Sequence, residues 1–104
     1  MAPTITRWPV NLHNLAAVAQ GRGDRAAAER LFTTALQIKA RALGDRHPEV
    51  AVVHNNLAVL YTKQGRTEEA LRHYDAALDI LQQTVGSAHP TTVTCRGNRV
   101  RLLA

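Results

Sequence analysis

The sequence predicts an all-α protein built from repeated pairs of helices, and three observations support this fold class. Residues 14–55 align with residues 56–97 without a gap and with twelve identities, so the chain repeats itself at an offset of 42 residues. Apolar residues recur every three or four positions, the period of an amphipathic helix, and the two-residue alternation of strands is absent. The residues between them are rich in Ala, Arg, Glu and Gln, which favour helix. We therefore expect stacked repeats, each burying its apolar face against its neighbours.

Glycines and prolines indicate where the helices end and begin. Glycine readily adopts the left-handed backbone conformation that closes a helix. Pro48 and Pro90 suit the first position of a helix, where a missing N–H costs nothing, and Asp24 or Thr67 suits a helix cap. The four expected closing glycines are Gly23, Gly44, Gly65 and Gly86.

Five helices follow from these positions. A short N-terminal arm precedes the first helix, and a glycine turn leads into a longer second helix. The third helix starts at the first proline, and a second glycine turn leads into the fourth. The fifth starts at the second proline without a partner helix after it. It is expected to cap a monomer with its polar residues, to pair with a second copy, or to belong to a longer repeat array. The arm spans residues 1–8, and the helices span 9–20, 25–43, 48–64, 67–85 and 90–103.

The second and fourth helices carry the same apolar stripe one repeat apart. Small residues in it let two helices approach closely, while an aromatic residue fills the gap between consecutive helix pairs. This arrangement indicates packing rather than catalysis. The stripe residues are Ala28, Phe32, Ala35, Ile38 and Ala42 in the second helix, and Ala70, Tyr74, Ala77, Leu81 and Val85 in the fourth.

The composition indicates one domain without a membrane span. At 104 residues the chain has the length of a single domain. Its apolar runs are far shorter than the roughly 20 residues that cross a bilayer, and its start lacks the apolar stretch of a secretory signal, so we expect a cytoplasmic protein. Cys95 is the single cysteine, which suits a reducing compartment. The excess of Arg over Lys and the abundance of Ala point to a bacterial source.

The spacing of the small, aromatic and glycine positions within one repeat resembles that of the tetratricopeptide repeat. The usual unit of that family is about 34 residues long, whereas the unit here is 42, which is similar to the long repeats of kinesin light chains. The resemblance implies antiparallel helix-turn-helix units, stacked as a short right-handed superhelical solenoid of two and a half repeats over residues 9–44, 48–86 and 90–104. It also implies protein–protein interaction without catalysis. The residues that carry it are Leu57, Ala58, Tyr61, Gly65, Ala70, Tyr74 and Ala77.

One asparagine recurs at the same place in the first helix of each repeat. In tetratricopeptide proteins this face lines a concave groove, where the amide hydrogen-bonds a bound peptide, since an amide both donates and accepts. The alternative is that these asparagines bond to neighbouring helices and fix the stacking. Helical spacing adds further residues to the same face. The predicted partner-binding residues are Asn14, Val52, Asn55, Asn56, Val59, Lys63, Asn98 and Arg101.

The charge of the chain bears on the kind of partner. A formal net charge of +5 favours acidic partners through long-range steering, and Lys63 and Arg101 make an acidic peptide the expected ligand, unless these cations merely form a solvated face. Two alternatives remain: homo-oligomerisation through the unpaired helix in residues 90–104, and nucleic-acid binding. The second ranks lower, because Arg96 and Arg99 lie near Arg101 without an aromatic platform, so any binding would be weak and salt-dependent.

The histidines and the cysteine do not form a recognisable reactive site. His47 and His89 each precede a proline, which favours a linking or capping role. His13, His54 and His73 show no metal-ligand spacing with one another or with the cysteine, which is expected to be a small buried residue. Since no nucleophile, base and orienting group stand together, we expect no enzyme activity, no cofactor and no metal.

Overall fold

The computed structural model describes residues 18–19 and 21–104. These residues confirm the all-α prediction and contain four helices, each of which starts at its predicted residue and ends within one residue of the predicted end. The count of five is not reproduced in this part of the chain, because the predicted first helix falls mostly on residues outside the description, as does the arm. Val18, Ala19 and Gly21 do have helical backbone. The helices are α1 (Arg25–Leu43), α2 (Pro48–Lys63), α3 (Thr67–Thr84) and α4 (Pro90–Leu103).

The closing glycines behave as the sequence predicts. All four have positive φ, from 78° at Gly65 to 96° at Gly44. After Gly65 the chain turns back so that the N–H of Arg66 donates to the carbonyl of Tyr61 at 2.9 Å, which satisfies a carbonyl at the end of α2. Only glycine takes this conformation without strain, so Gly44, Gly65 and Gly86 fix where α1, α2 and α3 stop.

Side chains cap three of the four helices. Asp24 accepts a hydrogen bond from the N–H of Ala27 at 3.1 Å. His47 and His89 use Nδ1 to accept from the N–H two residues further on, at 3.0 and 3.1 Å, and each stands before the proline that opens its helix. The capping role predicted for both histidines is confirmed.

The cap predicted at Thr67 for the helix after the second turn is wrong. Thr67 is the first residue of α3, and the cap position belongs to Arg66, which makes no side-chain capping bond. Glu68 and Glu69 in the first turn instead supply negative charge where the helix dipole favours it.

The core is centred on α2, which packs against each of the other three described helices. Leu57 and Leu60 fill its centre, and Ala58 and Ala77 are fully buried, so α2 and α3 approach closely. Consecutive helices are joined by short links and pack as hairpins. Cys95 is buried, as expected, and burial raises the pKa of its thiol to about 11.

Three of the five residues in the predicted stripe of α1 are buried. Ala28, Phe32 and Ala35 are buried, but Ala42 is exposed and Ile38 is 47% exposed. The equivalent of Ile38 one repeat later is Ile80, which is buried. The difference arises because α3 packs against both α2 and α4, whereas α1, within the described residues, packs chiefly against α2.

Two glycines should respond to alanine with opposite signs. Gly65 has φ +78° and Gly97 lies inside α4 without positive φ, and a Cβ at either would meet nothing within 4 Å. Gly65→Ala should therefore lower the free energy of unfolding by about 1 kcal/mol through backbone strain alone. Gly97→Ala should raise it by up to about 1 kcal/mol through helix propensity. Urea denaturation of both variants measures this, and a loss at Gly97 would contradict the backbone argument.

Candidate functional site

A shallow pocket of about 220 Å³ lies where α2 and α4 meet. Its two walls come from the first helices of two consecutive repeats, so it occupies the face on which the sequence places the partner-binding residues. Four of the eight predicted residues line it, two per helix at spacings of four and three that keep each pair on one helical face. They are Val59 and Lys63 on α2, and Asn98 and Arg101 on α4.

Three further residues complete the pocket, and none of them is among the eight predicted residues. Thr62 and Leu102 each adjoin a predicted residue, and Tyr74 reaches the pocket from α3. Tyr74 is 2% exposed, and burial raises the pKa of its phenol, which therefore stays neutral at physiological pH. The repeat period assigned Tyr74 only to packing, and nothing in it signals that the same ring borders a surface pocket.

Asn98 connects the two walls. Its Nδ2 donates to Oδ1 of Asn55 on α2 at 3.3 Å, and its Oδ1 accepts from a guanidinium N–H of Arg101. Asn55, another of the predicted residues, is thus linked to the pocket by a direct contact. Because Asn98 bonds to a neighbouring helix, this geometry favours the stacking role for it. One amide N–H and one lone pair remain for other partners.

The other predicted residues do not line the pocket. Val52 and Asn56 are half-buried on α2, towards its start and middle, and Asn14 lies outside the described residues. The pocket therefore gathers the C-terminal half of the predicted site. Its lining includes the cations Lys63 and Arg101 and no carboxylate.

A second polar cluster ties α1, α2 and α3 together. Glu29 accepts from the hydroxyl of Tyr61 at 2.8 Å and from Arg66 at 3.0 Å, and Arg66 also pairs with Glu69 at 2.7 Å. The guanidinium carbon of Arg66 lies 4.3 Å from the centroid of the Tyr61 ring. Burial, with the hydrogen bond to Glu29, raises the pKa of Tyr61 to about 12. These side chains are satisfied by one another, which identifies a structural role.

His54 and His73 meet between α2 and α3. Their Nδ1 atoms are 2.9 Å apart, so one ring must carry a proton on Nδ1 while the other accepts it. Burial lowers the pKa of both, to about 4 for His54, where the neighbouring His73 adds to the effect. Sequence spacing gave no sign of this pair, since 19 residues separate them. In the described part of the chain no group of three or more His, Cys, Asp and Glu side chains is placed to hold a metal ion.

The C-terminal arginines are already engaged within the chain. Arg96 donates to the carbonyl of Ser87 at 2.8 Å, and Arg99 pairs with Asp75 at 2.7 Å. Arg101 donates to Asn98. Each of the three guanidiniums thus has a partner within the chain, and we do not propose nucleic-acid binding.

The repeat pattern and its burial agree with a known family. The family model described as tetratricopeptide repeat matches residues 10–83 and again residues 50–104. The chain belongs to the tetratricopeptide-repeat family. Such repeats generally mediate protein–protein interactions and are typically non-catalytic. No curated protein matches the chain. In this tetratricopeptide-repeat protein, none of the described helices is long and apolar enough to cross a membrane.

The second repeat shows the packing role of the residue types that are typical of the family. Its small and aromatic positions are buried between α2 and α3, and its glycine closes α2 with positive φ. The family signature of this tetratricopeptide-repeat protein is therefore a packing signature, and the surface residues around it must determine what it binds. The buried signature positions are Leu57, Ala58, Tyr61, Ala70, Tyr74 and Ala77.

Proposed function

We propose that this tetratricopeptide-repeat protein binds a peptide segment of a protein partner on the face formed by α2 and α4. The supporting observation is that Val59, Lys63, Asn98 and Arg101 converge in one pocket from the first helices of two repeats. We further propose that the repeats are of the long type similar to those of kinesin light chains. In that arrangement they stack as a right-handed superhelix with this face on its concave side.

The chemistry of the pocket favours an acidic segment. Lys63 is exposed and Arg101 still presents part of its guanidinium beside Asn98, while no carboxylate lines the pocket. Val59 and Leu102 offer apolar surface next to these cations. A carboxylate of the partner can therefore be paired while its neighbouring apolar side chain is covered. The net charge of +5 adds long-range attraction that salt weakens.

The proposed site extends beyond the pocket. Asn55 is joined to it through Asn98, and Val52 and Asn56 continue along α2, with Asn14 as the equivalent position of the preceding repeat. A peptide running along this face would meet the amide side chains in succession. We place this activity in the cytoplasm and assign it no cofactor.

Replacing either pocket cation should weaken an acidic ligand. We expect Lys63→Ala or Arg101→Ala to raise the dissociation constant for labelled Asp/Glu-rich peptides about threefold to tenfold, since a partly exposed charge pair contributes about 1 kcal/mol. Fluorescence anisotropy at low and physiological salt measures it. Arg30→Ala, an exposed arginine on α1, is the matched control. Equal affinities of all three variants, or tighter binding of Lys-rich peptides, would refute the assignment.

Homo-oligomerisation through residues 90–104 is a second candidate function. One observation favours it: Val93, Val100 and Leu103 of α4 are 49%, 59% and 54% exposed. Exposed apolar side chains on one helix are a common feature of interaction surfaces. Light scattering coupled to size exclusion tests it, because a dimer would have twice the 11.4 kDa mass of the chain.

A further inference from the structure

One stripe of α4 is apolar and exposed along its length. Val93, Arg96, Val100 and Leu103 are spaced by three, four and three residues, which places them on one side of the helix. The three apolar members are each about half exposed. Arg96 sits in the middle of the stripe and uses its guanidinium to bond the Ser87 carbonyl at 2.8 Å.

The equivalent residues of the preceding repeat indicate the packing role of this stripe. The positions 42 residues earlier lie on α2, the helix that packs against α3. Two of them are fully buried alanines. The other two touch α3 directly, because both rings contact His73, with centroids at 5.1 and 5.4 Å. The exposed stripe of α4 therefore corresponds to the face of α2 that packs against α3. The equivalent residues are Ala51, His54, Ala58 and Tyr61.

A groove beside this stripe has walls of opposite charge. It has a volume of about 350 Å³ and runs between α3 and α4. Asp75 and Asp79 line the α3 wall, and Arg96 and Arg99 line the α4 wall, with Val100 also lining the groove. In the preceding repeat the four charged positions hold Thr33, Gln37, His54 and Leu57, so this charge pattern is particular to the C-terminal groove.

We propose that a second copy of this chain occupies the groove, with α3 of each copy laid against the exposed stripe of α4 in the other. This rests on the second proposed function, self-association, and assigns it a surface and an arrangement. Charge complementarity selects the partner: a two-fold axis along the groove sets the acidic wall of each copy against the basic wall of the other. An axis across the groove would set acid against acid.

The proposed contact extends ion pairs that the single chain already makes. Arg99 bonds Asp75 at 2.7 Å, and Arg46 bonds Asp79 at 2.8 Å. Both aspartates are exposed and are accessible to a second guanidinium. In the dimer each aspartate lies between cations of two copies, and Val93, Val100 and Leu103 lose contact with water.

A charge-swap experiment tests this arrangement. One variant carries Asp75→Lys and Asp79→Lys, and the other carries Arg96→Glu and Arg99→Glu. Each alone places like charges across the interface, so its dimer dissociation constant should rise at least about tenfold relative to wild type. An equimolar mixture should restore a dimer of one copy of each, because every basic wall then faces an acidic one. Sedimentation velocity at low and physiological salt measures all four samples, and circular dichroism verifies their helix content.

The outcomes test the proposed groove and self-association separately. A wild-type protein that stays monomeric at millimolar concentration overturns both proposals. A wild-type dimer that both charge variants and Val100→Asp leave unchanged overturns the groove while self-association stands. Variants that become monomeric but fail to associate when mixed overturn the two-fold arrangement. Ile38→Asp, which changes an equally exposed apolar residue of α1, is the control and should leave the dimer intact.

Discussion

Leu57→Ala should lower the free energy of unfolding by about 2–5 kcal/mol. Leu57 is 1% exposed and lies at the centre of α2, the helix that contacts all the other described helices. Removing its isobutyl group takes away apolar contacts and leaves a cavity that rigid helix packing cannot close. Since domains of this size are stable by about 5–15 kcal/mol, the loss is a large part of the total.

Leu43→Ala is the matched control for this substitution. It makes the same chemical change at the last residue of α1, where the side chain is 43% exposed, and should change stability by less than about 0.5 kcal/mol. Urea denaturation with a common slope for all variants gives both values. Similar losses at the two positions would contradict the assignment of α2 as the centre of the core.

Stability should fall by about 1–2 kcal/mol between pH 7 and pH 5 because of the histidine pair. Burial lowers the pKa of His54 to about 4 and also lowers that of His73, whereas both return to about 6.5 on unfolding. The unfolded chain therefore binds more protons in this range, so the stabilisation is complete above pH 6.5 and is lost as the pH falls towards 4. Water still reaches part of each ring, which reduces the effect below its full value.

Two carboxylates with lowered pKa values lie outside this pH window. Hydrogen bonds from Lys39 and Arg66 lower the pKa values of Glu49 and Glu69, so these groups take up protons only below the window. His54→Gln should flatten the decline measured by urea denaturation at each pH. His89→Asn keeps an acceptor at the cap of α4 and leaves the pair intact, so it should retain the decline. An unchanged slope in His54→Gln would exclude the pair as its cause.

The helices could be predicted closely because their ends depend on local chemistry. A closing glycine needs only its own backbone freedom, and a capping histidine bonds a residue two positions away. The prediction of Thr67 as a cap is wrong because the helix begins at Thr67 itself and the cap position falls on Arg66, whose side chain bonds Glu29 and Glu69. One of those partners is distant in sequence, and no local pattern reveals it.

The candidate site could be predicted only in part. The repeat period placed Val59, Lys63, Asn98 and Arg101 on corresponding faces, and the structure brings these four into one pocket. The period could not show that Tyr74 borders the same pocket, or that Asn98 bonds Asn55. These features depend on how α3 and α4 pack against α2. The spacing of residues along one helix does not predict that packing.

By itself the sequence determined the helices, their ends and the repeat, because turns, caps and apolar stripes act over a few residues and recur every 42 positions. Tertiary structure alone decided which equivalent positions are covered. Ile38 and Ile80 share a place in the repeat yet differ in burial, and so do Ala58 and Val100. Burial depends on the helices that pack on each side of a residue. The repeat pattern gives the residue at each position but not the helices that pack against it. The surface proposed for self-association lies where those neighbouring helices differ.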